Sequence, residues 1–208
     1  MTPILYHFPQ CSKSRQALAF LESLSVPFEV KHYARDGVEK DEAIQLLGMI
    51  QHDLVDCIRS DADLPNTNTT NASLEDLALA IHHHPKCLQR PIIVWQKQAI
   101  MARPLVHVLP IIPNTYRVHL AIQISGKVQG VYFRMSTKKM ANEWALNGWV
   151  KNEPNGDVSA VFQGNPSAIH DINVWCKNGP KDAVVKRVQV MGLTGSPDRW
   201  FDHFEVIH

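Results

Sequence analysis

Pro110-Ile-Ile-Pro-Asn-Thr-Tyr116 restricts the folding of this chain more than any other stretch. Its two prolines remove backbone donors and push their preceding residues toward extended conformations, and its asparagine favours a turn, so a helix does not continue through it. A new apolar alternation begins two residues later. The 208 residues therefore separate into two stretches, each long enough to close its own core. We expect domains at 1–113 and 117–208. Asp61 to Ser73, rich in Asn, Thr and Asp, is flanked by helical patterns and reads as a loop inside the first domain.

A hydrophobic content of 45% and a charged content of 20% are those of an ordinary globular protein. No run approaches the roughly 18 apolar residues that span a bilayer. The N-terminus has no basic segment followed by an apolar core, so the sequence points to the cytoplasm rather than to export or a membrane. Cys11, Cys57, Cys87 and Cys176 lack metal-ligand or disulfide-framework spacing, which fits reduced thiols. Asn68-Thr-Thr and Asn71-Ala-Ser then mark only a polar loop. The net charge is −2 over residues 1–113 and +3 over 114–208, with no basic surface interleaved with aromatics for nucleic acid. Lys138-Lys139 reads as a solvated helix face. His82-His83-His84 diverge around a helix without a carboxylate or thiol at ligand spacing, so no metal site is expected.

In the first half, Pro3–Phe8 and Phe28–Tyr33 read as strands around a helix over Ser12–Ser25, whose Ala17, Leu18, Leu21 and Leu24 form one stripe. Helical patterns follow at 39–48, 52–59 and 73–83, the last opened by Ser73 with acidic residues at 75 and 76. Residues 91–95 and 98–101 form a hairpin, and Pro104 opens a closing helix. This order matches an α/β thioredoxin-like domain with a helical insertion. In the second half, Val118, Leu120, Ile122 and Ile124 alternate as a half-buried strand. A helix over 133–146 is ended by Asn147-Gly148, a strand runs over 149–152, Asn155-Gly156 turns the chain, and 158–162 is its partner. A helix from Pro166 is stopped by Gly179-Pro180, and strands near 183–191 and 200–206 finish the chain. The βαββαβ order is that of an α+β ferredoxin-like sandwich with one added strand.

Gly126-Lys-Val-Gln-Gly-Val-Tyr-Phe-Arg134 joins the first strand of that unit to its helix. Such a loop by itself is also an ordinary turn. Its chemistry comes from what stands around it. Gly126 and Gly130 let backbone N–H groups turn toward an anion, and Arg134 adds a fixed positive fork. Parallel strands of a β-α-β unit end on one sheet edge, which brings Asn152, 18 positions after Arg134, to the same place. Its amide both accepts from and donates to a water.

These stretches, Gly-x-Val-Gln-Gly-Val-x-Phe-Arg at 126–134 and Gly-Trp-Val-Lys-Asn at 148–152 followed by Asn-Gly-Asp-Val, make residues 118–206 resemble an acylphosphatase. The resemblance implies metal-free and cofactor-free hydrolysis of small acyl phosphates. Arg134 and the backbone N–H groups of Val128, Gln129, Gly130, Val131, Tyr132 and Phe133 would bind the phosphoryl oxygens, and Asn152 would position the attacking water.

In the first half, Tyr6-His-Phe-Pro-Gln-Cys11-Ser-Lys-Ser-Arg15 puts a thiol after a strand, at a helix N-terminus and near an arginine. The helix-end amides and the arginine both favour a thiolate, whereas Cys57 and Cys87 lie in apolar patterns and read as packing residues. With His84-Pro-Lys86, Arg90-Pro-Ile-Ile-Val and Arg103-Pro, residues 4–112 resemble the glutathione- and glutaredoxin-linked arsenate reductases, with Phe8 where that family usually has asparagine. The resemblance implies that Cys11 attacks arsenate, that Arg59, Arg90 and Arg103 hold the oxyanion with His7 near the thiol, and that glutathione and glutaredoxin donate electrons. It also implies a cis Arg90-Pro91 bond. Regulatory proteins share this fold and cysteine loop, so a non-catalytic thiol switch or protein-binding module stands as the alternative.

Overall fold

A computed structural model describes residues 2–50, 53–59, 62 and 72–208. The backbone forms two compact units, one from the described residues up to Glu22 and from Val26 to Ile111, the other from Ile112 to His208 with Ser23–Ser25.

The first unit begins with β1 (Ile4–Tyr6), α1 (Ser12–Ser23), β2 (Glu29–Lys31), α2 (Tyr33–Asp36) and α3 (Lys40–Met49). It continues with α4 (Leu74–His83), β3 (Ile92–Trp95) and β4 (Gln98–Met101). The sheet order is β2-β1-β3-β4, with β1 parallel to β2 and antiparallel to β3. Tyr33, Leu46, Leu47, Leu77, Ile81, Leu88 and Ile92 are the centre of a core shared by the helices and the sheet. Ser73 and Asp76 cap α4 reciprocally, each side chain accepting from the other residue's backbone N–H at 3.1 Å.

In the first unit, three local expectations differ from the structure. In place of a helix over 52–59 there is a single 3-10 turn, Leu54–Cys57, because Ile58 leaves it to pair with Leu88; residues 51 and 52 lie outside the described residues. The second strand stops at Lys31 because the chain turns into α2 at Tyr33. The closing segment is a 3-10 helix, Leu105–Ile111, with Pro110 inside it. Most of the Asn-rich stretch, including the two Asn-x-Ser/Thr matches, lies outside the described residues. The Arg90-Pro91 bond is cis, as is Arg103-Pro104.

The second unit is β5 (Val118–Lys127), α5 (Phe133–Glu143), β6 (Asn147–Asn152), β7 (Val158–Gly164), α6 (Pro166–Cys176), β8 (Val184–Thr194) and β9 (Phe204–Ile207). Its sheet order, β8-β5-β7-β6-β9, is the ferredoxin-like arrangement extended by β9, which runs parallel to β6. Val118, Leu120, Ile122 and Ile124 are buried, as the alternation requires. The stop signal of α5 differs from the expected Asn147-Gly148. Ala145 takes the left-handed conformation (φ 52°), and the N–H groups of Leu146 and Ala145 return to the carbonyls of Ala141 and Asn142 at 2.8 and 3.2 Å. This is a Schellman ending with alanine in the glycine position, and it leaves Asn147 and Gly148 free to begin β6.

The chain between β8 and β9 is fastened by one buried side chain. Gln163, on β7, accepts from the Phe201 N–H through Oε1 at 2.7 Å and donates to the Arg199 carbonyl through Nε2 at 2.7 Å. That orientation fixes Nε2 as a donor toward His119 Nδ1, 2.9 Å away, so Nδ1 accepts and the ring proton sits on Nε2. Burial holds the His119 pKa below the ordinary value, against the opposing pull of Asp198. The unfolded chain then binds more protons than the folded one as pH falls through the histidine range, so this contribution is present above the unfolded pKa and lost on acidification. We predict that Gln163→Met in the full chain lowers stability by about 1 to 2 kcal/mol, since it strands the Phe201 N–H and the Arg199 carbonyl, both part-buried. Calorimetry checks this, and His119→Asn should flatten the loss of stability between neutral pH and the folded pKa.

Candidate functional site

In the second unit the anion loop leaves β5 through a β-bulge against β8 at Ser125/Gly126. Gly126 has φ 131°, and a Cβ there would run into the Val184 carbonyl oxygen, so the close approach of β8 requires glycine. Gly130 (φ 72°) is required only by its backbone, since a Cβ would meet open space. Among the described residues, the backbone N–H groups of 129–132 donate to no protein acceptor, leaving four donors at the head of α5. Backbone donors left without a protein acceptor at a helix start suit an anion.

One cavity of about 400 Å³ is lined by Val128, Gln129, Gly130, Phe133, Arg134 and Asn152, so the arginine and the asparagine do share a site. Tyr132 lines the same cavity, whereas Val131 is buried outside its lining. Two contacts fix the geometry. The Gln129 amide donates to the carbonyls of Glu153 and Asp157 at 2.9 and 2.8 Å, tying the loop to the turn that follows Asn152. Arg134 Nη1 donates to the Ile207 carbonyl at 3.3 Å, so β9 holds the guanidinium. Val206, His208 and Met135 also line the cavity and were not singled out from the sequence. The parallel pairing of β9 with β6 brings Val206 beside Val150, a long-range register that no local pattern announces.

In the first unit Cys11 precedes the first turn of α1 and is partly exposed, while the other three thiols are buried. Burial pushes the Cys11 pKa up, but the Ser14 and Lys13 backbone N–H groups and the Arg90 guanidinium near the thiol outweigh it, and the thiol lies below its ordinary value. Burial, with the neighbouring Asp56 adding to it, pushes Cys57 up to about 11, and burial pushes Cys87 up to about 11 against the pull of its own backbone N–H and Arg59. Arg59 and Arg90 both donate to the Lys86 carbonyl, at 3.4 and 3.3 Å, which brings these two guanidiniums together. Arg103 is held separately, on Gln89 Oε1 at 3.4 Å, the same oxygen that accepts from the Arg90 N–H at 3.2 Å.

His7 is buried and packs edge-on against His32 with ring centroids 5.6 Å apart. Burial and the neighbouring His32 hold its pKa below the ordinary value. Phe8 lies beneath Arg90, whose guanidinium carbon is 4.2 Å from the ring centroid. Tyr33 is a member of this group that the sequence did not reveal. It is fully buried, and its pKa is raised by burial against the pull of Arg90 and Arg59. His82 points elsewhere: its Nδ1–H donates to the Val38 carbonyl at 2.9 Å.

The family model described as acylphosphatase matches residues 120–206. An acylphosphatase of Syntrophus aciditrophicus is 41% identical over 92 residues, covering 44% of this chain and 92% of that protein. One of Gloeobacter violaceus is 42% identical over 95 residues, covering 43% of this chain and 94% of that protein. Among solved structures, an arsenate reductase from Vibrio cholerae aligns with the first unit at 32% identity and a TM-score of 0.50, covering 54% of this chain and 98% of that one. The first unit thus has the thioredoxin-like fold of the arsenate reductases, and through residues 120–206 the chain belongs to the acylphosphatase family.

Proposed function

We propose that the second unit hydrolyses small acyl phosphates at the cavity shared by Arg134 and Asn152. The observation that carries this reading is their meeting across a loop with four uncommitted N–H donors. The phosphoryl oxygens take the loop N–H groups and the Arg134 fork. Asn152 accepts from a water and aims its oxygen at phosphorus. As the P–O(water) bond forms, the bond between phosphorus and the acyl oxygen breaks, and the electron pair leaves with the carboxylate. A carboxylate is a good leaving group, so positioning and charge stabilisation supply the catalysis, with the guanidinium and backbone dipoles as the source of positive charge.

For the first unit, the Cys11 thiolate beside Arg90 supports a thiol-dependent arsenate reductase. Cys11 displaces water from arsenate to form a sulfur–arsenic bond. Glutathione and then glutaredoxin supply the two electrons that release arsenite. Phosphate, of the same shape and charge, is the expected competing anion. The thiol-switch reading shares the activated cysteine but needs no oxyanion. The cytoplasm suits both units, since all four cysteines are free thiols and, among the described residues, no helix is long and apolar enough to cross a membrane.

Arg134→Ala should lower kcat/KM for benzoyl phosphate by roughly 10³-fold or more, the scale of losing a transition-state arginine. Asn152→Ala should act mainly on kcat, by roughly 10²-fold or more, with little change in KM, because the water and not the substrate loses its guide. Steady-state kinetics of the full chain separate the two, and an unaltered rate in Arg134→Ala would remove the assignment. For the first unit, the pH profile of iodoacetamide alkylation should place the Cys11 midpoint below the ordinary 9.0, and Arg90→Gln should move it upward. Glutathione- and glutaredoxin-dependent arsenate reduction that Cys11→Ser abolishes would favour the reductase. A low midpoint without reduction would favour the switch.

A further inference from the structure

Tyr132 has no folding reason to be where it is. It is the residue before α5, with φ 60° and ψ 19°, a left-handed conformation that a bulky L residue adopts only at an energetic cost. Its side chain is 81% exposed, so no core packing offsets that cost. Glycine would relax the backbone and lose no buried contact. Met135 stands three residues on, one helical turn away, and is 58% exposed, another large apolar side chain left in water. Both line the cavity that holds Arg134 and Asn152, and Val206 adds a third apolar wall.

From this placement we infer that Tyr132 and Met135 form a docking shelf for the acyl part of the substrate and select flat, apolar acyl groups, aromatic ones above all. The inference rests on the acyl phosphate reading of this cavity. The phosphoryl end is held by polar groups, and the acyl end must extend out of that cradle toward the cavity mouth. A tyrosine ring offers a face for offset stacking, and a thioether adapts to a ring edge. An acetyl group is too small to cover either side chain. A charged or strongly hydrated acyl group would lose water against them without a polar partner.

The test compares kcat/KM for benzoyl phosphate with kcat/KM for acetyl phosphate in the full chain. Taking the ratio within each protein cancels any change in phosphoryl chemistry. Tyr132→Gly should lower the ratio roughly 2- to 10-fold, the range expected for one aromatic pair, through KM for the benzoyl substrate. Thermal stability should hold or rise, since the left-handed strain is relieved. Met135→Ala should lower the ratio by a smaller factor, and Tyr132→Phe should keep it. Ratios unchanged in both Tyr132→Gly and Met135→Ala would overturn the shelf while leaving acyl phosphate hydrolysis standing. A parent protein that hydrolyses neither substrate would overturn the hydrolase reading and the shelf with it.

Discussion

The position of β7 between β5 and β6 is the constraint from which the second unit's site follows. Because β7 pairs antiparallel with both neighbours, β5 and β6 must run parallel although they never touch. Their C-terminal ends therefore reach one edge of the sheet, the loop after β5 facing the asparagine that closes β6. Gln129 spans the remaining gap by donating to two carbonyls of the β6–β7 turn. The relation between Arg134 and Asn152 is thus set by hydrogen bonds across the sheet edge, and the last strand adds a carbonyl for the guanidinium.

The first unit gathers charge by a different route. A strand delivers Cys11 to a helix start, and a short segment around Lys86 and Gln89 collects the arginines by offering them backbone and side-chain acceptors. Arg90 and Arg59 both pull on the Tyr33 phenol, and Arg90 also favours the Cys11 thiolate. The stack of Arg90 on Phe8 restricts the guanidinium plane without neutralising it.

Much of this was legible in the order of residues, because the two fold classes write themselves in local periodicity. Alternation along Val118–Ile124 and the strand–loop–helix setting of 126–134 depend only on neighbours in sequence. What escaped depends on distant partners. Val206, His208 and the Ile207 carbonyl reach the cavity through the β6–β9 register, and Tyr33 reaches the arginines through tertiary packing. The α5 stop was misplaced for a local reason: a Schellman ending normally advertises itself by glycine, and here Ala145 takes that conformation while the nearby glycine serves the next strand. The 3-10 turn at Leu54–Cys57 was hidden because a bridge from Ile58 to Leu88 overrides a helical pattern.

Gly126 divides the letters of the loop into two kinds. Its missing side chain is demanded by the Val184 carbonyl, a neighbour in the sheet that has no part in chemistry. A descendant of this chain that had lost hydrolysis would still be obliged to keep Gly126, or the strand pairing beneath it would part. Arg134 carries no such obligation, since among the described residues its side chain is bonded to the protein only at a strand end, through a partly buried contact. Under sequence drift the glycine would therefore persist as a memory of the fold, and the arginine would be the first letter to report that the activity had gone.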